Sequence, residues 1–147
     1  VKVTDFGIVH IEDATFTPTG SLIGTPRYMS PEQVSGGRVD NRSDIYAVGI
    51  VLYEALIGTP PFVSGDIGYQ QVRAQPTPPR ELNPAVPREV EAVVLCCLEK
   101  DPDKRYQTAG ELRQAVEAVL NSVYPKIFAE LDRAPKTEIA DALPENL

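Results

Sequence analysis

A chain of 147 residues, 42% hydrophobic and 24% charged, has the make-up of one folded globular domain rather than a collagen-like, disulfide-dense or disordered chain. Its formal net charge of -7 argues against a broad basic face for nucleic acid or an anionic membrane surface. The only two cysteines, Cys96 and Cys97, are neighbours. On a helix their side chains point to different faces, so they cannot converge on a metal, and reduced structural thiols in a cytoplasmic compartment are expected.

Val1, Val3 and Thr4 are β-branched and flank a polar Lys2, the pattern of a short half-buried strand that ends at Asp5-Phe6-Gly7. From Ile8 to Ile23 there is no sustained period. Threonines, a serine, a proline and a glycine crowd the interval Thr15 to Ser21, which reads as a polar loop. Ser30-Pro31-Glu32-Gln33 then carries a helix start: a capping serine, proline suited to the first helical position, and glutamine three residues on to reach back. Gly36-Gly37 stops that helix.

A second start, at Asn41 or Ser43, leads through Asp44 into a helix that ends at Gly58 ahead of Pro60-Pro61. This helix has almost no polar face, so other elements should surround it. Its apolar stretch, Ile45 to Ile57, is interrupted by Glu54 and is too short for a bilayer, which needs ~20 apolar residues. No membrane segment is therefore expected. Asp66 to Ala74 is a weaker helical stretch, and Gln75 to Pro87 reads as a connection whose prolines block regular ladders.

Helical period returns after Pro87, with Val90, Val93, Val94, Cys97 and Leu98 on the buried side. Thr108-Ala109-Gly110-Glu111 predicts a capping box for a last amphipathic helix with Leu112, Val116, Val119 and Leu120 inward. Beyond Asn121, a weak helix from Val123 to Asp132 gives way to an acidic, proline-containing tail that reads as a linker. The only methionine is Met29, and the opening reads as a strand entered partway through a fold, so a piece of a longer protein is expected.

Order and spacing carry the chemistry. Asp5-Phe6-Gly7 stands at a strand end and the threonine-rich loop follows. Gly24-Thr25-Pro26-Arg27-Tyr28-Met29-Ser30-Pro31-Glu32 comes next, then Asp44-Ile45-Tyr46-Ala47-Val48-Gly49, and last Arg105 before a capped helix. The series resembles the second half of the protein-kinase signature set, with Ser-Pro-Glu in place of Ala-Pro-Glu. Its wording is similar to the bacterial branch of eukaryotic-like (Hanks-type) serine/threonine kinases. The likeness runs from about Val1 to Leu120.

That resemblance implies a mainly α chain: a partial protein-kinase C-lobe with one short N-terminal strand, an activation segment and about five helices, cut from an α+β two-lobed parent. It divides the chain into 1–120, the partial kinase domain, and 121–147, an extension or linker. It makes Asp5, with Phe6 and Gly7, the cofactor-binding turn, and Asp5 a magnesium ligand. A hard cation bridging phosphate oxygens does want an ionised carboxylate held at a strand-to-loop turn. An Asx-type turn is the plainer role for the same residue.

By the same likeness Thr17 and Thr19, then Thr15 and Ser21, are candidates for phosphorylation, which would add about -1.5 to -2 charges for an arginine to pair. The threonines of a loop are otherwise simply polar. Gly24, Thr25 and Pro26 match the segment that cradles the protein substrate. There the family's threonine hydroxyl supports a catalytic aspartate, although an ordinary turn hydroxyl is equally compatible with the sequence. Glu32 and Arg105 match a buried ion pair, and Asp44 an anchor for the catalytic-loop backbone, a place where its charge also suits the helix dipole. His10 has no acid or base partner in the sequence and reads as a loop residue.

The glycine-rich phosphate loop, the strand lysine with its glutamate, and the His-Arg-Asp loop precede Asp-Phe-Gly in the family and are not among these 147 residues. The expectation is a parent that uses ATP and Mg2+ to phosphorylate protein substrates and itself, while this stretch alone is inactive. The parent is expected in the cytoplasm, with or without a membrane anchor elsewhere. A pseudokinase or scaffold whose lower lobe binds proteins is the competing reading.

Overall fold

The computed structural model describes residues 26–125. Within them a 3-10 turn, Pro26–Tyr28, leads to α1 (Pro31–Val34), α2 (Asn41–Ile57), α3 (Ile67–Arg73), α4 (Pro79–Leu82) and α5 (Arg88–Cys97). A second 3-10 turn, Pro102–Lys104, precedes α6 (Ala109–Val123). The expected strand, Asp5-Phe6-Gly7, the threonine-rich loop and Gly24-Thr25 lie outside the described residues. So does nearly all of the weak helix expected from Val123 to Asp132, although α6 itself runs on to Val123.

Most boundaries follow local chemistry. The Ser30 hydroxyl accepts from the Gln33 N–H while the Gln33 side chain accepts from the Ser30 N–H, a complete capping box with Pro31 in the first turn. Gly36 takes φ 66 just past the end of α1. At α2 the cap is Asp40, whose carboxylate accepts from the Arg42 N–H, and the helix closes on Gly58 at φ 88.

Besides the α2 cap, which falls on Asp40 rather than on Asn41 or Ser43, two details differ from the sequence reading. In the proline-rich connection, Pro79 opens one turn of helix, α4, because proline lacks only an N–H that the first turn leaves unpaired anyway. At α6 only half of the expected box forms. Thr108 Oγ1 accepts from the Glu111 N–H, but Glu111 reaches past Thr108 to accept from the Gln107 N–H at 2.8 Å. Either arrangement gives an otherwise orphaned donor a partner.

The core gathers on α2. Tyr46, Ile50 and Tyr53 pack with Val94 and Leu98, and Ile45 packs with Val93, Cys97 and Leu112. Each large side chain so buried contributes about 1.5–3 kcal/mol. The axes of α2 and α5 come close at Gly49, where an added Cβ would lie 2.6 Å from the Cys97 Cβ. Val48 and Val51 on α2 are exposed, so the described residues cover only part of its apolar circumference. α2 thus serves as a central post, presenting Ser43, Tyr46 and Glu54 to three different neighbours.

Candidate functional site

Arg105 is the best-satisfied side chain in the structure. It lies between the second 3-10 turn and α6, with none of its side chain exposed, and faces Glu32 of α1, whose side chain is 11% exposed. Arg105 Nη1 and Nη2 donate to the two Glu32 oxygens at 2.7 and 2.8 Å. The remaining N–H groups go to the Arg42 carbonyl (2.9 Å), the Lys100 carbonyl (3.2 Å) and the Glu99 carbonyl (2.8 Å). All five guanidinium donors therefore have acceptors.

Glu32 also accepts from the Ser43 hydroxyl at 2.6 Å. Burial pushes its carboxyl pKa up, but the hydrogen bonds from Arg105 and Ser43 outweigh burial and hold it at about 2. The expected pairing of Glu32 with Arg105 is present, and through Ser43 it also locks the first turn of α2. Beside it, Arg42 donates to Asp40 and, at 2.6 Å, to Asp103, while Asn41 donates to the Gln107 carbonyl. These contacts bind the start of α2 to the turn before α6. Asp44 stands exposed in the first turn of α2, where its charge suits the helix dipole.

A second set of polar contacts converges on the segment Pro26–Tyr28. The Tyr28 hydroxyl donates to Glu54 at 2.6 Å, which raises the tyrosine pKa. Fully buried Gln71 of α3 donates from its amide nitrogen to the Pro26 carbonyl (3.1 Å) and the Arg27 carbonyl (2.8 Å). The Gln71 side-chain oxygen accepts from the hydroxyl of fully buried Tyr46 at 2.6 Å. That hydroxyl in turn accepts from Lys100 Nζ at 2.9 Å.

Lys100 Nζ lies over the Phe62 ring, 4.7 Å from its centre, and beyond the hydroxyl end of Tyr46, 5.3 Å from that ring's centre, while Arg105 lies 4.9 Å from the centre of the Tyr46 ring. Burial first, and repulsion from Arg105 second, push the Lys100 pKa down to about 8. Sequence reasoning missed Ser43, Tyr46, Gln71, Lys100, and the pairing of Tyr28 with Glu54. The nearly unbroken apolar run of α2 marks Tyr46 as core, but nothing local tells a buried glutamine from an exposed one.

The structure brings Glu32 and Arg105 together and places Pro26 beside Gln71. Asp5, Phe6, Gly7, Thr15, Thr17, Thr19, Ser21, Gly24 and Thr25 lie outside the described residues, as does His10. Among the described residues no group of three or more ligating side chains could hold a metal, and no helix is long and apolar enough to cross a membrane. Burial drives the Cys97 thiol up to about 12 and raises that of Cys96, so neither is a ready thiolate.

The sequence profile of the protein kinase domain matches residues 1–120. Serine/threonine-protein kinase PknB of Mycobacterium tuberculosis is 44% identical over 154 residues, an alignment that takes in 100% of this chain and 24% of that protein. PknB of Mycobacterium leprae is 44% identical over 142 residues, 91% of this chain and 23% of its own length. The probable serine/threonine-protein kinase SCO3848 of Streptomyces coelicolor is 46% identical over 127 residues, 82% of this chain and 19% of its own length. The chain therefore spans about a quarter, or less, of the curated relatives it matches. With a mostly helical fold built on α2 and the Glu32–Arg105 pair where the motif order calls for it, this chain belongs to the protein kinase domain family, in its bacterial Hanks-type serine/threonine branch.

Proposed function

We propose that these residues are the lower-lobe part of an active serine/threonine protein kinase that moves the γ-phosphoryl group of ATP, with Mg2+, onto serine or threonine of protein substrates and of its own chain. The observation that carries this reading is the fully satisfied Arg105. It ties α1, directly after the substrate-cradling segment, to the loop before α6, so the segment from Pro26 to Glu32 leaves the fold at a fixed place. Most phosphoryl-transfer catalysis is positioning and electrostatics, which makes such an anchor useful to an enzyme.

In this reading the Asp5 carboxylate, with Phe6 and Gly7 shaping its turn, holds the magnesium that neutralises charge on the phosphates. Thr25 supports the catalytic aspartate of the parent, and Gly24, Thr25 and Pro26 cradle the acceptor peptide. Asp44 steadies the catalytic loop. Thr17 and Thr19, then Thr15 and Ser21, take the phosphate that orders the activation segment. Residues 1–120 form part of the kinase domain and 121–147 an extension or linker. The 147 residues alone hold neither the catalytic base nor the ATP-binding lysine and are inactive by themselves. We place the parent domain in the cytoplasm, with its ATP.

The test is phosphoryl transfer by the full-length protein, with mass spectrometry of the loop from Thr15 to Ser21. Label at Thr17 or Thr19 that disappears in Asp5→Ala supports the kinase. A folded full-length protein that labels neither itself nor a peptide sinks this reading and favours a pseudokinase or scaffold, whose lower lobe would only bind proteins.

A further inference from the structure

We infer that Gln71, oriented through Tyr46 by Lys100, is a positioning residue that sets the backbone of the substrate-cradling segment at Pro26 and Arg27. The inference rests on the kinase function proposed above and adds to it a cause for the shape of that segment. The contacts form one line: Lys100 Nζ to Tyr46 Oη at 2.9 Å, Tyr46 Oη to Gln71 Oε1 at 2.6 Å, then Gln71 Nε2 to the Pro26 and Arg27 carbonyls at 3.1 and 2.8 Å.

The direction of that line is dictated by chemistry. A lysine ammonium has donors and no acceptor, so Tyr46 must accept from Lys100, and the tyrosine proton is left to go to Gln71. Burial keeps the Tyr46 hydroxyl protonated and able to donate. The Gln71 carboxamide is thereby held with its oxygen toward Tyr46 and its NH2 toward the two backbone carbonyls. A flipped amide would set its oxygen against the two backbone carbonyls and turn its NH2 to Tyr46, leaving the tyrosine proton without an acceptor, inside a site where Gln71 and Tyr46 have no exposed surface to recruit water.

Among the described residues no carboxylate pairs with Lys100. Its charge is met by the Tyr46 hydroxyl and the ring of Phe62, an arrangement poor in stabilisation and rich in direction. The line also runs through α2 without using the Glu32–Arg105 pair. The substrate segment therefore has two supports that adjoin at Tyr46 and Lys100: the ion pair behind α1 and the amide of Gln71 beneath Pro26 and Arg27.

The experiment compares Gln71→Glu, Tyr46→Phe and Lys100→Met in the full-length protein, reading steady-state kinetics and amide hydrogen exchange across the segment 26–30, whose amides are those of Arg27 to Ser30. Glutamate keeps the shape and the acceptor for Tyr46 but has no NH2, so the peptide KM should rise about fivefold while kcat and the ATP KM stay within about twofold. Tyr46→Phe should raise it about threefold, and Lys100→Met about twofold. Because the three act in series, Tyr46→Phe added to Gln71→Glu should change the peptide KM no further. Exchange over 26–30 should speed up in all three.

An unchanged peptide KM in Gln71→Glu, or effects that simply add, overturns the role of Gln71 while leaving the kinase function standing. A full-length protein that transfers phosphate to no peptide overturns both. If Gln71→Glu fails to fold, Tyr46→Phe and Lys100→Met decide by the same kinetic split.

Discussion

Arg105 and Lys100 lie five residues apart, both meet Tyr46, and the protein treats the two cations in opposite ways. Arg105 is met by an ionised carboxylate and three carbonyls, with every donor filled. Lys100 is met by one hydroxyl and one aromatic ring, that of Phe62. The planar fork of arginine suits a bidentate partner at a structural junction, whereas a lysine ammonium is a point charge whose pKa gives way when it is buried. A buried cation is an anchor where its partner is ionised. Where its only partner is neutral it gives direction more than strength.

Breaking the anchor should have the largest effect. Arg105→Met strands the Glu32 carboxylate and should cost about 3–5 kcal/mol in chemical denaturation of the full-length protein. Acid should expose the same contribution. The folded value of Glu32, about 2, lies below its ordinary 4.5, so its contribution is complete above about pH 4.5 and is lost as the pH falls toward 2. An Arg105→Met protein whose acid unfolding matches the parent's would contradict that assignment.

Next comes the spacing that lets both cations share Tyr46. Gly49→Ala gains helix propensity but drives a methyl into Cys97 and Leu98, for a net loss of about 1–2 kcal/mol read in the same denaturation series.

Lys100→Met should be neutral or stabilise by up to about 1 kcal/mol, since it removes a buried charge without stranding another. The pH response carries the opposite sign to that of Glu32. The folded value of Lys100, about 8, lies below its ordinary 10.5, so the unfolded chain holds the proton more tightly and this group's contribution to stability rises between those two values. Lys100→Met should abolish that rise. A stable Lys100→Met protein with a raised peptide KM would separate direction from strength, because loss of structure alone cannot produce it.

At the small end is the exposed pair Arg113–Glu117 on α6, which belongs to neither support. Arg113→Ala should shift stability by about 0.3 kcal/mol, and salt should erase the difference.

Helix starts and stops were legible because they are local: Ser30 with Gln33, Gly58 after Ile57, and Thr108 ahead of Glu111 need only neighbours in the chain. The likeness in motif order made Glu32 and Arg105 legible as partners although 73 positions separate them. The turn at Pro79 was hidden because several prolines in a row look like a barrier until one of them falls at a helix start.

What the chain determines by itself is therefore its helices, its family and the residue types at its chemical positions, since periodicity, caps and motif order are properties of sequence alone. Only the folded structure decides that Gln71, on a weak helix of polar look, is wholly buried beneath Pro26 and Arg27, and that Lys100 meets the same Tyr46 hydroxyl as Gln71 does. Side-chain hydrogen bonds across 25 and 54 positions depend on how α2, α3 and the loop after α5 pack together, and no local pattern encodes that distance.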